Sequence, residues 1–243
     1  MRTTLSIILA FTFVNAFGQS VTADTTFFSN NPESPLAFYE TVIGSESHLF
    51  NGSEYITNHH FFVSSTGHPF FKSDNLTEGS VFYDGALYTN VPLLYDILRD
   101  QVVIDPPGST FRVKLISEKI KYFKLRNHSF IRLVKSDSAN SSLPTGFYEL
   151  LVDNKIKVLA KRTKNQRKET TLAGLKGYYW STDSYYIEKN NTYYPVKDKR
   201  TFIDVFPGKK KEIQKYARVN KLNFRRRREE AIIKIAKYGE SLL

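Results

Sequence analysis

Two groups of titratable residues lie close enough along this chain to do chemistry together. Asp84, Asp96, Asp100 and Asp105 fall in one central stretch. Two carboxylates flanking a glycosidic bond can serve as acid and base. His59, His60 and His68 lie within ten positions, with Asp74 and Glu78 beyond them. Histidines on adjacent strands can bind a divalent cation. Both groups also have plainer readings. Asp84 suits a turn and the other aspartates suit solvent-facing strand ends. His59 and His60 are neighbours, so on a strand they point to opposite faces. No metal and no cofactor is therefore assigned. Asp84, Asp96 and His68 remain as the catalytic candidates of an enzymatic reading. Gly-x-Ser-x-Gly, His-Glu-x-x-His and glycine-rich phosphate loops are missing from the sequence. So is cysteine, which excludes disulfides, thiolate metal sites and cysteine nucleophiles.

A third group is cationic. Arg225, Arg226, Arg227 and Arg228 form an unbroken run, backed by Lys209, Lys210, Lys211, Lys215, Arg218 and Lys221. The formal net charge is +11, unevenly placed. Residues 19–153 carry 10 Lys/Arg against 15 Asp/Glu, and residues 154–243 carry 24 against 9. A solvated helix face would account for part of this, since Glu229 and Glu230 follow the arginines. The excess also fits contact with an anionic surface or glycan.

These groups need elements to position them. The 243 residues include 15 Tyr and 19 Phe, types suited to pleated, half-buried surfaces. The central stretch, residues 79–104, reads as a strand, a tight turn on Asp84-Gly85, a second strand, and a third carrying Leu93, Leu94 and Ile97. Asp-Gly between apolar runs is a strong hairpin signal, because both turn residues tolerate positive φ. Asn51-Gly52 is a second turn signal. Phe61–Val63 and Pro69–Phe71 read as short apolar runs, and Phe111, Val113 and Leu115 as a half-buried strand. Further strands follow over Ile120–Phe123 and Phe130–Val134. Gly146–Val152 and Ile156–Arg162 make a second hairpin on Asp153-Asn154. Thr163–Thr170 is charged, a loop or an edge strand. Tyr185–Ile187 and Tyr193–Val196 make a third hairpin. The period then changes. Ile213, Tyr216 and Ala217, then Ile232, Ile235 and Ala236, recur at helical spacing and predict two short amphipathic helices, 209–220 and 226–238. The expected fold is mainly β. It is an antiparallel meander forming a barrel or strongly curved sheet, closed off by a C-terminal pair of short α-helices.

The N-terminus reads as an export signal. Arg2, an apolar run from Leu5 to Val14 and then Ala16-Phe17-Gly18 match a cleavable signal peptide. The run is too short to span a bilayer, and no later stretch is long and apolar enough to do so. The expected divisions are a signal peptide over 1–18, a β-rich domain over 19–200 and a basic helical segment over 201–243. Cleavage near Gly18 would place the mature chain in a periplasm or outside the cell. Asn-x-Ser/Thr sites at Asn51, Asn75, Asn127, Asn140 and Asn190 matter only in a eukaryotic secretory pathway.

Several stretches carry a resemblance: GSVFYDGALYTNVPLLYDILRDQVV, LISEKIKYFKL, FYELLVDNKIKVLAKR and the tail KKKEIQKYARVNKLNFRRRREEAIIKIAKYG. From about His48 to Tyr238 the chain resembles secreted proteins of unknown function common in Bacteroidota-type bacteria. Those combine a Tyr-Asp-Gly hairpin, an Asn-Val-Pro-Leu-x-Tyr-Asp strand and a basic two-helix tail. The resemblance implies export and a bacterial source, and it carries over no catalytic residue.

Together these readings predict an exported, non-enzymatic, envelope-associated or ligand-binding protein with an anionic partner. Nucleic acid is disfavoured, because an exported protein seldom meets it. The alternative is a periplasmic hydrolase acting on glycan or peptide.

Overall fold

The computed structural model describes residues 47–57, 61–135, 143–190 and 192–242. The segment expected to be a signal peptide, residues 19–45, His59, His60 and most of the Ser136–Pro144 loop lie outside the described residues.

Among the described residues, fourteen strands and three α-helices follow a 3-10 turn at Ser47–Phe50. The strands are β1 (Ser53–Glu54), β2 (Ser64–Thr66), β3 (Thr77–Tyr83), β4 (Ala86–Asp96), β5 (Gln101–Ile104), β6 (Val113–Lys114) and β7 (Ile120–Leu125). They continue as β8 (His128–Leu133), β9 (Gly146–Asp153), β10 (Lys157–Lys161), β11 (Lys164–Thr171), β12 (Gly174–Ser181), β13 (Ser184–Lys189) and β14 (Thr192–Val196). The helices are α1 (Lys199–Asp204), α2 (Lys210–Val219) and α3 (Arg228–Ser241).

Eleven strands form one antiparallel sheet in the order β1-β6-β5-β4-β3-β7-β8-β9-β10-β13-β14. It begins and ends on unpaired edges, so it does not close into a barrel. It does curve strongly. Five inter-strand steps separate β4 from β10, about 24 Å in a flat sheet. Yet Lys161 Nζ, at the end of β10, donates to Asp100 Oδ2 just beyond β4 at 2.6 Å. The same carboxylate accepts the Tyr95 hydroxyl at 2.6 Å and the Phe147 N–H at 3.3 Å. Gly146 makes the approach possible: a Cβ there would stand 2.1 Å from Lys161 Nζ and 2.2 Å from Asp100 Oδ2.

The curved face gathers Tyr83, Leu93, Tyr95, Ile104, Phe123, Phe130 and Phe147 into one core. The Phe123 and Phe130 rings stack at 4.7 Å, with Tyr95 and Phe147 set edge-on to both or one of them. Asp84 and Gly85 take φ of 50° and 86°, as the expected turn requires. The strand after them differs from expectation. β4 is one long strand rather than two, jogged where the register shifts between Gly79 and Ser80 and where Asn90 takes φ 57°. Ile97 falls in the following turn. Asn51-Gly52 is no hairpin turn, since Gly52 packs against the Lys114 carbonyl and lacks positive φ.

The meander is interrupted once. β11 and β12 leave it as a hairpin and form a three-stranded sheet with β2, which runs parallel to β12. A parallel partner separated by about a hundred residues leaves no local signal, so sequence reasoning saw the apolar run at Phe61–Val63 and not the strand at Ser64–Thr66 that follows it.

The helices cover the second core. Val158, Ile187 and Val196 on β10, β13 and β14 meet Phe202, Phe206, Ile213, Ile232 and Ile235. Ile213, Ile232 and Ile235 are buried, while Tyr216, Leu222 and Phe224 pack half-buried against the same cluster. Asp198 caps α1, accepting the Thr201 N–H at 2.8 Å while Thr201 Oγ1 accepts the Asp198 N–H at 3.0 Å. That hydrogen bond from the Thr201 backbone holds the Asp198 pKa below its ordinary value. Pro207 and Gly208, with φ 79° at Gly208, stop the chain before α2. Tyr216 of α2 stacks on Tyr238 of α3, their ring centroids 4.0 Å apart.

Gly239 of α3 faces the buried Phe206 ring, and a Cβ there would lie 2.5 Å from the nearest ring carbon. Gly239→Ala gains about 1 kcal/mol of helix propensity, but the overpacking costs about 1–3 kcal/mol. A lower Tm than wild type is expected by thermal melt.

Candidate functional site

The α1–α2 corner holds an open cleft of about 580 Å³, lined by Lys199, Arg200, Ile203, Asp204, Lys210, Gln214 and Arg218. Its making is local. The Asp198 cap starts α1 so that Phe202 and Ile203 point inward and Lys199 and Arg200 flank the opening. α2 buries Ile213 and Ala217, which turns Lys210, Gln214 and Arg218 outward. The lining has four cationic side chains and one carboxylate. Asp204 accepts from Lys210 Nζ at 2.6 Å. Among the described residues, no carboxylate lies within ion-pair distance of Lys199, Arg200 or Arg218. On the other side of α1 a second cleft, about 450 Å³, shares Asp204 and adds Lys189 and Tyr194. Residues 199–242 carry 14 Lys/Arg against 5 Asp/Glu. A somewhat larger depression over β3, β4 and β7, about 670 Å³, sets Glu78 beside Lys124 and Arg126 and has no comparable excess.

Beside the apolar core, a buried ionic network ties α3 to the sheet. Arg162, 8% exposed, donates from Nε to Glu149 Oε2 at 2.5 Å. Its Nη1 reaches Asp183 Oδ2 at 2.7 Å and Glu229 Oε2 at 2.6 Å. Glu149 lies on β9, Asp183 between β12 and β13, and Glu229 in the first turn of α3. The network runs on. Glu149 Oε1 contacts His128 Nδ1, and His128 Nε2 lies 2.8 Å from Lys72 Nζ. An ammonium only donates, so Nε2 accepts and the imidazole proton sits on Nδ1, facing Glu149. Tyr185 donates its hydroxyl to Glu229 at 3.1 Å. Burial works against the charge on Arg162, but its bonds to Glu229 and Glu149 outweigh this and hold its pKa above the ordinary value. Burial likewise opposes ionisation of Glu229, yet the Arg162 bond and charge win and leave its pKa below the usual carboxylate range.

The residues singled out from sequence separate. Asp84 pairs with Lys119 at 2.6 Å on the surface. Asp96 is fully buried and accepts from the Tyr55 hydroxyl at 2.8 Å and from the N–H groups of Leu98 and Arg99 at 2.9 and 3.0 Å. The two stand at opposite ends of β4, roughly 30 Å apart along the strand, whereas paired glycosidase carboxylates need about 5–10 Å. His68 stacks on Phe70 at 6.2 Å. Beside it Lys164 Nζ donates to the His68 and Phe70 carbonyls at 2.6 and 2.7 Å. Among the described residues, no group of three His, Asp or Glu side chains is placed to hold a metal ion.

The arginine run divides as well. Arg228 donates to the Val196 and Lys197 carbonyls and lies over the Tyr185 ring at 5.2 Å, a structural position. Arg227 approaches Glu230 at 3.9 Å, and Arg225 and Arg226 are exposed. Of Lys209, Lys210 and Lys211, only Lys210 lines the cleft. Sequence reasoning missed Lys199 and Arg200 as site residues because it began the basic helical segment at residue 201. Asp198 followed three positions later by Thr201, which caps α1, was the available signal.

Arg162→Met leaves three carboxylates around an empty centre, and a loss of about 3–5 kcal/mol is expected in chemical denaturation. The pH limits follow from the shifts. Glu229 has a lowered pKa, so its contribution is present above the unfolded carboxylate value and is lost as pH falls through the folded one. Burial raises the Tyr185 pKa to about 12. Its contribution is therefore full below the unfolded phenol value and is lost as pH rises toward 12. Melting temperature against pH should fall at both ends, with Glu229→Gln flattening the acid limb and Tyr185→Phe the alkaline one.

No protein-family model matches this chain, and neither a curated protein nor a solved structure is significantly similar to it.

Proposed function

We propose that this is an exported, non-enzymatic binding protein that captures an anionic partner of the cell envelope or exterior at its basic C-terminal helices. The observation that carries this reading is the cleft at the α1–α2 corner, where, among the described residues, no carboxylate lies within ion-pair distance of Lys199, Arg200 or Arg218. Cations gathered in a concave site focus the field and draw in anions. Phosphate or carboxylate groups fit the chemistry, and Arg200 and Arg218 can each grip them with two parallel N–H donors. Tyr194, on the far side of α1, offers a flat face for a sugar ring. The export half of the proposal rests on Arg2 and the Leu5–Val14 run, together with the resemblance to secreted bacterial proteins. The hydrolase alternative loses its Asp84–Asp96 pair, whose members stand at opposite ends of β4.

Heparin, a soluble sulfated polyanion, is a suitable probe. Retention on immobilised heparin should fall as salt rises, because exposed charges are screened beyond about 8–10 Å near physiological ionic strength. Lys199→Ala/Arg200→Ala/Arg218→Ala should weaken binding by about tenfold or more, without lowering Tm. Binding that is indifferent to salt, or unchanged in the triple variant, would exclude the cleft as the site.

A further inference from the structure

The β11–β12 hairpin carries features that its own folding does not need. Thr171 pairs with Gly174, so Leu172 and Ala173 form the whole tip. Two-residue hairpin loops favour Gly, Asn or Asp for their backbone conformations. Here Gly174 alone takes a φ of this kind, +120°, while Leu172 and Ala173 do not. Turn geometry therefore makes no demand for leucine, and packing makes none either, since Leu172 is fully exposed. Val63, 57% exposed, sits directly against Gly174, where a Cβ would come within 2.7 Å of its Cγ1. The tip is thus a small apolar cap. Among the described residues, only β2 packs extensively on this hairpin.

Beneath the cap lies a basic collar. Arg167, Lys168 and Lys176 occupy the two strands just below the tip. Glu169 is the one acid among them, at 3.6 Å from Arg167, which leaves the collar positive. Arg167 rests on the Tyr178 ring at 5.1 Å and Lys168 over Phe62 at 6.0 Å, so both side chains are held along the hairpin. An apolar tip above fixed cations matches the boundary of an anionic bilayer, where acyl chains begin beneath negative headgroups. A soluble polyanion would use the collar and gain nothing from Leu172.

We infer that the β11–β12 hairpin is a peripheral membrane contact, with Leu172 and Ala173 entering the interface of an anionic lipid bilayer and Arg167, Lys168 and Lys176 meeting its headgroups. This contact is separate from the α1–α2 cleft and does not depend on it.

The test is sedimentation of the whole chain with vesicles of equimolar phosphatidylglycerol and phosphatidylcholine, against vesicles of phosphatidylcholine alone. Preference for the anionic vesicles is expected, weakening as salt rises. Leu172→Asp should lower the partition coefficient by about fivefold or more, and Arg167→Ala/Lys168→Ala/Lys176→Ala by about fivefold for each cation removed. In a Lys199→Ala/Arg200→Ala/Arg218→Ala background Leu172→Asp should cost the same factor, and Leu172→Asp should still bind heparin through the cleft. Trp180 is the single tryptophan, so Leu172→Trp/Trp180→Phe puts the only indole at the tip. Its emission should move to the blue on anionic vesicles. The assignment is overturned if Leu172→Asp sediments like wild type, if the tip indole does not shift, or if the cleft variant abolishes vesicle binding.

Discussion

One buried guanidinium fixes how the C-terminal helices meet the sheet. Arg162 stands at the end of β10 and satisfies carboxylates from β9, from the β12–β13 connection and from the first turn of α3. Three acids drawn so close would repel one another without it. A buried ion cluster of this kind adds little net stability compared with an apolar core, but it tolerates only one arrangement of its parts. It therefore fixes where α3 begins against the sheet. Through the Tyr216–Tyr238 stack α3 then fixes α2, and α2 forms one wall of the cationic cleft.

The neighbouring residue solves a different problem. Lys161 bridges to Asp100 across a curvature that an ideal ladder would not produce, and the glycine at 146 leaves room for both side chains. The sheet thereby wraps its aromatic core without completing a barrel. Exposed edges are managed chemically. At one edge of this sheet β14 carries Pro195, which cannot donate to another strand, and at the edge of the three-stranded sheet β11 carries Lys164, Arg167, Lys168 and Glu169. Both devices discourage edge-to-edge pairing.

The charge of the chain is spent in two ways. In the sheet, cations are consumed by structure: Lys161, Arg162 and Lys164 each meet an anion or a carbonyl. On the helices the surplus stays at the surface, because each helix needs only a narrow apolar stripe to dock and leaves the remaining positions to solvent. A surplus that the fold does not neutralise is available to an outside partner, and that is why the cleft, rather than the best-connected ionic network, is the candidate site.

The sequence by itself determined what short-range physics controls. Asp84-Gly85 set its turn because positive φ is cheap there, and alternating or aromatic runs set most strands. The spacing of Ile213 with Ala217, and of Ile232 with Ile235, set two helices to within a few residues. Only the tertiary structure decided the rest. The Arg162 cluster unites residues 128, 149, 162, 183 and 229, which no local pattern links. The parallel pairing of β2 with β12 likewise spans too much chain to leave a period. The same limit governed the site. Four adjacent arginines look like one functional unit in a row of letters, but α3 begins only at Arg228. Arg228 docks on the Val196 and Lys197 carbonyls, while Arg225, Arg226 and Arg227 lie in the turn before the helix and stay outside. Lys199, Arg200, Lys210 and Arg218, scattered along the chain, meet at one opening because two helices happen to turn those faces toward it.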